Sequence, residues 1–404
     1  MIEMVAEQGY EGVTVRGLSR LAGVSSGTLY EHFAGKEDCF FQTYSLLMAR
    51  LARRVSLAYE GEHDRCQRVH LAFTAFTHQI AAEPRMARIC FVEAFAVGPS
   101  ALVQTQPAAE MFAAIVKDCL DTPHGPPVPP LLVKGIVAGL ATVVRARLLT
   151  GRERELPTLA GHLSEWALCF GDTVIAEWAR LGGARVSMGE IGDRGPEVVA
   201  LPSERALGGE RGLIASAAVK LAASEGYSEL SVPRIRAAAG VSRKSFDAHF
   251  DGIDDCFLTA LQLCARSVFG EAARLGADGS WAERVCLAIS ALCIHIARDP
   301  VRAWAVFVEI FSPGTDGVRH HAKLIDEVTG LVHCSTPDRG TPKLAAEASV
   351  GAVWGILEYH VASGRARLLP SMAAMLTALV LAPSIGGDAT VATIAGLQSA
   401  KSRG

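Results

Sequence analysis

Apolar residues recur at helical spacing in a short stretch near the start of the chain. Val15, Leu18 and Ala22 stand at positions i, i+3 and i+7, which form one stripe of an amphipathic helix. Thr14, directly before the stripe, can cap the helix with its hydroxyl, and Gly23 suits the left-handed residue that follows a helix. The pattern predicts one short helix between a threonine cap and a glycine turn.

A second short helix follows at once. Ser25 can cap it, Leu29 and Phe33 stand four residues apart on its apolar side, and Gly35 ends it before a longer helix over 36–57. The outward positions are small or polar: Ser26, Gly27, Thr28, Tyr30, Glu31 and His32. Two short helices joined by a tight glycine turn indicate a helix-turn-helix, whose second helix can enter the DNA major groove. A plain helical hairpin with a polar face explains the spacing equally well.

The same pattern occurs twice in the chain. Residues 4–40 align without a gap on residues 221–257, 217 positions later, and the two copies share fourteen identical residues. In the second copy, Ser231 and Ser242 occupy the two cap positions. A match of this density predicts a duplicated unit.

Weaker similarity continues beyond these segments. Residues 84–95 match 300–311, and the pair at 151–152 matches 364–365 at an offset of 213. Two complete units of about 200 residues are therefore expected. The predicted segments are a first helix-turn-helix domain over 1–57, a first helical regulatory domain over 58–181, a linker over 182–210, a second helix-turn-helix domain over 211–270, a second helical regulatory domain over 271–385 and an unassigned tail over 386–404.

The composition favours an all-α protein. Half of the 404 residues are apolar but only 6% are aromatic, which suits helical cores better than β-rich ones. The net charge of −3 argues against coating of nucleic acid by bulk charge, but specific binding stays possible.

No signal peptide opens the chain and no charge-free apolar run reaches about 18 residues, so a cytoplasmic protein without membrane contact is expected. Cys39 and Cys256 are repeat-equivalent and fit buried reduced thiols, with a redox sensor as the alternative.

The run from Gly9 to Phe40 resembles the DNA-binding signature of the TetR (tetracycline-repressor-like) transcriptional regulators. The resemblance rests on the Gly-Tyr pair, the Thr cap, the Ala-Gly-Val-Ser turn, Thr-Leu-Tyr-x-His-Phe and Lys-Glu. It implies an all-helical protein with two tandem units, each a helix-turn-helix domain followed by a ligand-binding and dimerisation domain. It also implies that 25–33 is the recognition helix and that Thr14, Tyr30 and Lys36 touch the DNA backbone.

The second copy departs from the signature. Asp247 stands where the first copy has Tyr30, and Ile253 stands where it has Lys36. A carboxylate facing phosphate is repulsive, but Arg243 and Lys244 on the same helix can offset it, and Arg can read guanine. The DNA contact of the second copy is either re-specified or weakened, and we favour re-specification.

The expected DNA contacts come from both copies. In the first they are Thr14, Arg16, Ser25, Ser26, Gly27, Thr28, Tyr30, His32 and Lys36, and in the second Ser231, Ser242, Arg243, Lys244, Ser245 and His249.

Only three residues precede Met4, whereas the second copy has a full first helix before Leu221. Either the true start lies upstream of Met1 or the first helix is short, and we favour the former.

Pairing of the two units is expected through their last two long helices. The resemblance implies a four-helix bundle, here from 129–149 with 156–181 and from 342–363 with 369–381. Because both units lie on one chain, high effective concentration favours pairing within the chain. The prediction is a single-chain pseudo-dimer. Apolar faces that only close the core of each half are the alternative.

A cavity for a hydrophobic small-molecule effector is expected among the middle helices of each half, although aromatic side chains at helical spacing are usually core. The candidate lining residues are Phe76, His78, Phe91 and Phe95 in the first half and Trp304, Phe307, Trp354 and Tyr359 in the second.

The function that follows is sequence-specific binding of a double-stranded DNA operator by a ligand-responsive repressor, with two unequal half-sites. The alternative is that only the first helix-turn-helix binds DNA, while the second unit senses ligand and dimerises. No cofactor or metal is expected. An enzyme is not expected either, because the Gly-rich phosphate loop, G-x-S-x-G and H-E-x-x-H motifs are missing from the sequence.

Overall fold

The computed structural model describes residues 1–183, 209–274, 280–336 and 342–401. These residues form helices and connecting turns and contain no strand, so the all-α fold of two tandem units is confirmed. The linker expected over 182–210 lies mostly outside the described residues.

The first half begins with the helix-turn-helix and continues into a bundle of longer helices. Its helices are α1 (Ile2–Gly12), α2 (Val15–Ala22), α3 (Ser26–His32), α4 (Lys36–Ala58), α5 (Arg65–Ala82), α6 (Pro84–Arg88), α7 (Ala94–Ala96), α8 (Ala101–Gln104), α9 (Gln106–Leu120), α10 (Pro130–Leu149), α11 (Leu156–Leu168) and α12 (Asp172–Gly183). A single π-helical turn, Ile89–Glu93, joins α6 to α7.

The second half repeats this order. Its helices are α13 (Gly209–Glu225), α14 (Val232–Ala239), α15 (Arg243–His249), α16 (Ile253–Arg274), α17 (Trp281–Arg298), α18 (Pro300–Phe307), α19 (Gly314–Ser335), α20 (Lys343–Ala362), α21 (Ala373–Ile385) and α22 (Gly387–Lys401). A 3₁₀ segment, Ala366–Met372, precedes α21.

The first DNA-reading unit forms as its sequence pattern predicts. The Thr14 hydroxyl accepts a hydrogen bond from the Gly17 N–H at 3.1 Å, which satisfies one of the free donors at the start of α2. Gly23 ends that helix with φ of 69°, a left-handed conformation that only glycine adopts without strain. The Ser25 hydroxyl then accepts from the Thr28 N–H at 2.9 Å at the start of α3.

The two halves pack on each other through α10 and α20. The helices cross at glycines: a Cβ atom on Gly139 would lie 2.5 Å from the Ala348 carbonyl oxygen, and one on Gly351 would lie 2.5 Å from the Thr142 side chain. Trp166 of α11 donates a buried hydrogen bond to the Ser349 hydroxyl at 3.0 Å. The core is therefore continuous across the two halves.

Three segments differ from the sequence expectation. The helix expected over 156–181 is two helices, α11 and α12, with Gly171 in the break between them. The tail left unassigned from residue 386 contains α22, which packs on α12 of the first half. Residues Ala366–Ile385 are long and apolar enough to span a membrane, contrary to the expectation that no such run exists, but 61% of this stretch is buried inside the fold.

Candidate DNA-binding surfaces and effector cavities

The first recognition helix presents an open surface. Ser25, Ser26 and Gly27 are exposed along the start of α3, and Tyr30 is 58% exposed. Leu29 on the opposite side is buried in the core. The amphipathic pattern thus holds the helix by one face and leaves the other free for a major groove.

Other expected contact residues surround this helix. Thr14, Arg16 and His32 are exposed, whereas Thr28 is half-buried, and its hydroxyl lies 3.0 Å from the Ser25 hydroxyl. Arg16 forms no ion pair with any described residue, so its charge is available to phosphate.

Lys36 is less free than the resemblance implies. Its ammonium group donates to the Tyr10 carbonyl oxygen at 3.3 Å and lies 4.1 Å from the centre of the Tyr10 ring. Partial burial lowers the pKa of Lys36, while Glu11 and Glu37 oppose this shift. The residue fastens α4 to α1 and still reaches the surface.

The second recognition helix keeps the scaffold of the first. Ser242 caps α15 by accepting from the Ser245 N–H at 3.1 Å, and Phe246 and Phe250 are buried at the predicted core positions. Ser231 stands at the cap position of α14, but its hydroxyl accepts no hydrogen bond there. Pro233 in the first turn lacks the N–H that a cap would otherwise use.

Acidic groups occupy the surface of the second recognition helix. Arg243 is paired with Asp247 one turn later, at 3.3 Å, and both side chains are exposed. Ser245 donates to a Glu210 carboxylate oxygen at 2.6 Å, and His249 lies 3.7 Å from the same oxygen. Of the residues assigned to DNA contact on α15, Ser245 and His249 are therefore engaged by Glu210 of α13. Lys244 is exposed.

Glu210 was missed because it stands at the edge of the predicted linker, far from the helix-turn-helix in sequence. Only the packing of α13 on α15 brings this carboxylate to the recognition helix.

The first half contains an apolar cavity of about 110 Å³. Phe76, Phe91 and Phe95 line it as predicted, and the rings of Phe76 and Phe91 meet edge to face at 6.0 Å. His78 does not line it: the side chain is exposed on the outer face of α5. Its position is two residues from Phe76, and two positions along a helix turn a side chain to the other side.

The equivalent cavity of the second half is smaller, about 50 Å³. Phe307 and Trp354 line it and their rings lie 4.8 Å apart. Trp354 occupies the repeat position of Ala141, so its indole fills space that stays open in the first half. Trp304 is 37% exposed and bonds to Glu309 instead, which removes it from the cavity.

A third cavity, of about 150 Å³, lies between the halves. It is lined from both sides, by Arg145 of α10 and by His321, Trp354, Glu358 and Tyr359 of the second half. Tyr359 thus lines this cavity rather than the one predicted within its own half. Arg145, His321 and Glu358 were missed, although a charged residue inside a long apolar helix is a readable signal.

The first DNA-binding domain is hydrogen-bonded to the cavity region. Arg145 donates from Nε to the Phe91 carbonyl oxygen at 2.8 Å, within the π-helical turn. Glu93, which ends that turn, is buried and accepts from the Tyr10 N–H at 2.9 Å, at the kink where Gly9 has φ of 70°. In the second half the equivalent Glu309 bonds to Trp304 and Ser312.

Comparison with protein families matches both DNA-reading units. Residues 2–43 and 214–260 each match the family described as bacterial regulatory proteins, tetR family. The chain therefore carries two TetR-type DNA-binding domains in tandem, as the sequence signature predicted.

Curated relatives are regulators by name. The chain is 25% identical over 123 residues to the HTH-type transcriptional activator FasR of Mycolicibacterium smegmatis, covering 30% of this chain and 56% of the relative. It is 45% identical over 51 residues to the HTH-type transcriptional repressor AcnR of Corynebacterium efficiens, covering 13% of this chain and 27% of the relative. The chain thus aligns with about half of the activator and about a quarter of the repressor.

Proposed function

We propose that this chain, with its two TetR-type DNA-binding domains, is a sequence-specific transcriptional regulator that binds a double-stranded operator as a single-chain pseudo-dimer. The observation that carries the DNA-binding part is the open surface of α3, with a hydroxyl-capped start, an exposed Tyr30 and an exposed Arg16 that forms no ion pair with a described residue. This geometry suits phosphate and base-edge contacts in a major groove.

The two reading heads are proposed to contribute unequally. The first exposes groups that DNA can use directly, whereas the second presents Asp247 and Glu210 beside its recognition helix. Carboxylates close to phosphate oppose binding, so the first half-site should supply most of the affinity. A homodimer generally needs a palindrome, and this chain does not.

Selection of bound fragments from random DNA by the purified full chain tests this function. We expect enrichment of a site with two different half-sites, the first more strongly constrained than the second. A perfect palindrome would exclude unequal reading. Failure to enrich any sequence at 100 mM salt or below would exclude sequence-specific DNA binding altogether.

The glycines at the crossing of α10 and α20 support pairing of unlike halves. Gly139 corresponds to Ala352 in the second half. In a pair of two second halves with this geometry, Ala352 of one half would face Ala348 of the other. Its Cβ would then take the place of a Cβ on Gly139, which would lie 2.5 Å from the Ala348 carbonyl oxygen. That clash involves backbone, which cannot move aside cheaply.

Pairing of two first halves meets a matching obstacle. Gly351 corresponds to Ala138 in the first half. A Cβ at the Gly351 position would lie 2.5 Å from the Thr142 side chain. The crossing is therefore complementary only when one copy of each half takes part.

Charge acts in the same direction. Arg147 and Glu347 form a half-buried ion pair at 2.5 Å across the halves. Glu347 corresponds to Lys134 in the first half, so two first halves would bring Lys134 against Arg147. Like charges in partly buried surroundings are strongly disfavoured.

Light scattering of the purified chain tests the pseudo-dimer. One chain per particle from micromolar to tens of micromolar concentration is the expected result. Obligate two-chain particles would contradict it. The Glu347→Lys variant, which restores the repulsion of a first-half pair, is expected to weaken the contact between halves and expose α10 to limited proteolysis.

The response to an effector is proposed to start at the first cavity and the adjoining cavity between the halves. Arg145 lines both and also holds the π-helical turn that ends in Glu93, the acceptor for Tyr10. A ligand that moves Arg145 can thereby shift α1 and with it the first reading head. Release from DNA on ligand binding would make the regulator a repressor.

A second candidate function is that only the first helix-turn-helix binds DNA. The Glu210 contacts on α15 favour it, because they engage Ser245 and His249 without DNA. Replacing both Arg243 and Lys244 by Ala separates the candidates. Unchanged affinity and unchanged site preference would establish the one-headed reader, whereas a relaxed second half-site would exclude it.

A further inference from the structure

We infer that the cavity between the halves binds the anionic group of a small organic acid whose apolar body extends into the cavity of the first half. This inference rests on the proposed ligand response and names the chemical class of the effector. Residues of both halves build this site.

Arg145 is the reason for choosing an anion. Its side chain is 7% exposed and lines the cavity, and its Nε bonds to the Phe91 carbonyl oxygen. No carboxylate of the described residues lies within ion-pair distance of Arg145, but the buried Glu358 lies close enough that the charge of each group shifts the pKa of the other. Burial lowers the pKa of Arg145, and an anionic ligand would offset the cost of keeping this charge away from water.

His321 supplies a second polar group without a partner. It is 2% exposed, lines the same cavity, and neither ring nitrogen has a hydrogen-bond partner among the residues that the structure describes. Burial lowers the pKa of His321 well below its usual value, so the ring is neutral and can donate one hydrogen bond to an anion.

Glu358 is a carboxyl group that lines the same cavity, with an oxygen 3.8 Å from His321 Nε2. Burial raises its pKa to about 7, and Arg145 acts in the opposite direction. Near neutral pH it can therefore take up a proton when an anion enters, whereas Arg145 stays charged. The remaining ionisable groups that line the cavity are Glu110, Lys134 and Tyr359.

The apolar body has a defined place. The first cavity shares Phe95, Ala141 and Arg145 with the cavity between the halves. The Phe95 ring lies 4.1 Å from the Arg145 guanidinium carbon and 5.4 Å from the Phe311 ring of the other half. An acid anchored at Arg145 can thus extend past Phe95 into the first half, and the second-half cavity is narrowed by Trp354.

The test uses two dyes with the same apolar body. 8-Anilinonaphthalene-1-sulfonate carries an anionic sulfonate, and N-phenyl-1-naphthylamine lacks it. Titrated into the full chain, the sulfonate dye is expected to bind at one site per chain. Arg145→Gln should weaken its binding about tenfold or more and change binding of the neutral dye less than twofold. The control Arg154→Gln, at an exposed arginine, should change neither.

Two further variants keep the inference testable if Arg145→Gln folds poorly. Ala141→Trp, which fills the first cavity without touching the charge, should weaken both dyes. In the wild-type chain the affinity for the sulfonate dye is expected to fall between pH 6 and pH 8, as Glu358 becomes charged, and Glu358→Gln should remove this loss. Equal losses of both dyes in Arg145→Gln, or no saturable binding of the sulfonate dye to the wild-type chain, would overturn the inference.

Dye binding is measured without DNA, so the outcome is independent of the proposed regulatory function. If the chain binds the sulfonate dye through Arg145 but selects no DNA, the anion site stands and the proposed regulatory function is excluded. If the chain selects DNA but Arg145→Gln does not change dye binding, the regulatory function stands and the anion site is excluded.

Discussion

At position 30 the first half carries an exposed tyrosine, and at the equivalent position 247 the second carries an aspartate paired with Arg243. The cavities of the two halves differ because one side chain differs in size. Ala141 leaves a cavity of about 110 Å³ in the first half, whereas Trp354 at the equivalent position narrows the cavity of the second half to about 50 Å³. Scaffold positions, by contrast, are kept. The two halves thus share the scaffold of the helix-turn-helix but differ at position 30 of the recognition helix and at position 141 of the cavity.

The contact between halves shows why such divergence is useful. A homodimer must place the same residue at both equivalent positions of its interface. Here Arg147 faces Glu347, whereas two first halves would place Arg147 against Lys134 and two second halves would place Glu347 against His360. Covalent tethering allows each half to specialise.

Removing the indole that narrows the cavity of the second half is expected to have the largest effect on the free energy of unfolding. Trp354→Ala should lower the free energy of unfolding by about 3–5 kcal/mol, because a buried indole is lost and a cavity remains. Trp304→Ala, at a half-exposed indole on α18, is the control and should lower the free energy of unfolding by less than half as much. Urea unfolding followed by circular dichroism measures both. Equal losses would mean that Trp354 does not fill the core.

Disrupting the contact of α10 with α20 is expected to have the second largest effect on the free energy of unfolding. Gly139→Ala should lower the free energy of unfolding by about 1–3 kcal/mol, since its Cβ meets the Ala348 backbone. Gly161→Ala on α11 adds a Cβ with no atom within 4 Å, so it should be neutral or slightly stabilising. Thermal melts of the two variants give the comparison, and a harmless Gly139→Ala would argue against close helix contact.

Making the reading heads alike addresses DNA recognition. Tyr30→Asp, which copies the second head, should weaken operator binding by about 10- to 100-fold, through loss of a contact and added repulsion. Asp247→Tyr should strengthen it by less than tenfold. Fluorescence anisotropy at fixed salt measures both. If Asp247→Tyr had the larger effect, the second head would be the dominant one.

Removing the carboxylate beside the second recognition helix should give a smaller gain. Glu210→Gln frees Ser245 and His249 and deletes one charge near the DNA, so operator affinity should rise about threefold. Glu60→Gln, at an exposed carboxylate beyond α4, controls for net charge. An equal rise in both variants would show that only the overall charge matters.

The smallest expected effect concerns pH. Burial raises the pKa of Glu358 to about 7, so its contribution to stability falls as the pH rises from about 4.5 to about 7. The lowered pKa of His321 acts oppositely, since protonation below its usual 6.5 destabilises the folded state. Wild type should therefore vary little. Glu358→Gln should become more stable relative to wild type toward pH 7, as urea midpoints from pH 4.5 to 8 would reveal.

The sequence by itself determined the duplication, the all-α fold and the local geometry of both helix-turn-helix units apart from the cap at Ser231. These features depend on caps, glycine turns and apolar spacing, which act over a few residues. Thr14, Gly23 and Ser25 behave as their sequence pattern predicts. Helical periodicity also pointed to five aromatic residues that line the cavity of their own half, Phe76, Phe91, Phe95, Phe307 and Trp354.

Only the tertiary structure decided which distant residues meet. Glu210 comes to the second recognition helix, and Arg145 and His321 come to one cavity, because helices far apart in sequence pack together. His78 and Trp304 turned outward for the same reason, since periodicity assigns a face but not its neighbour. Burial and pairing of charge are set by packing between elements, and no local pattern along the chain carries that information.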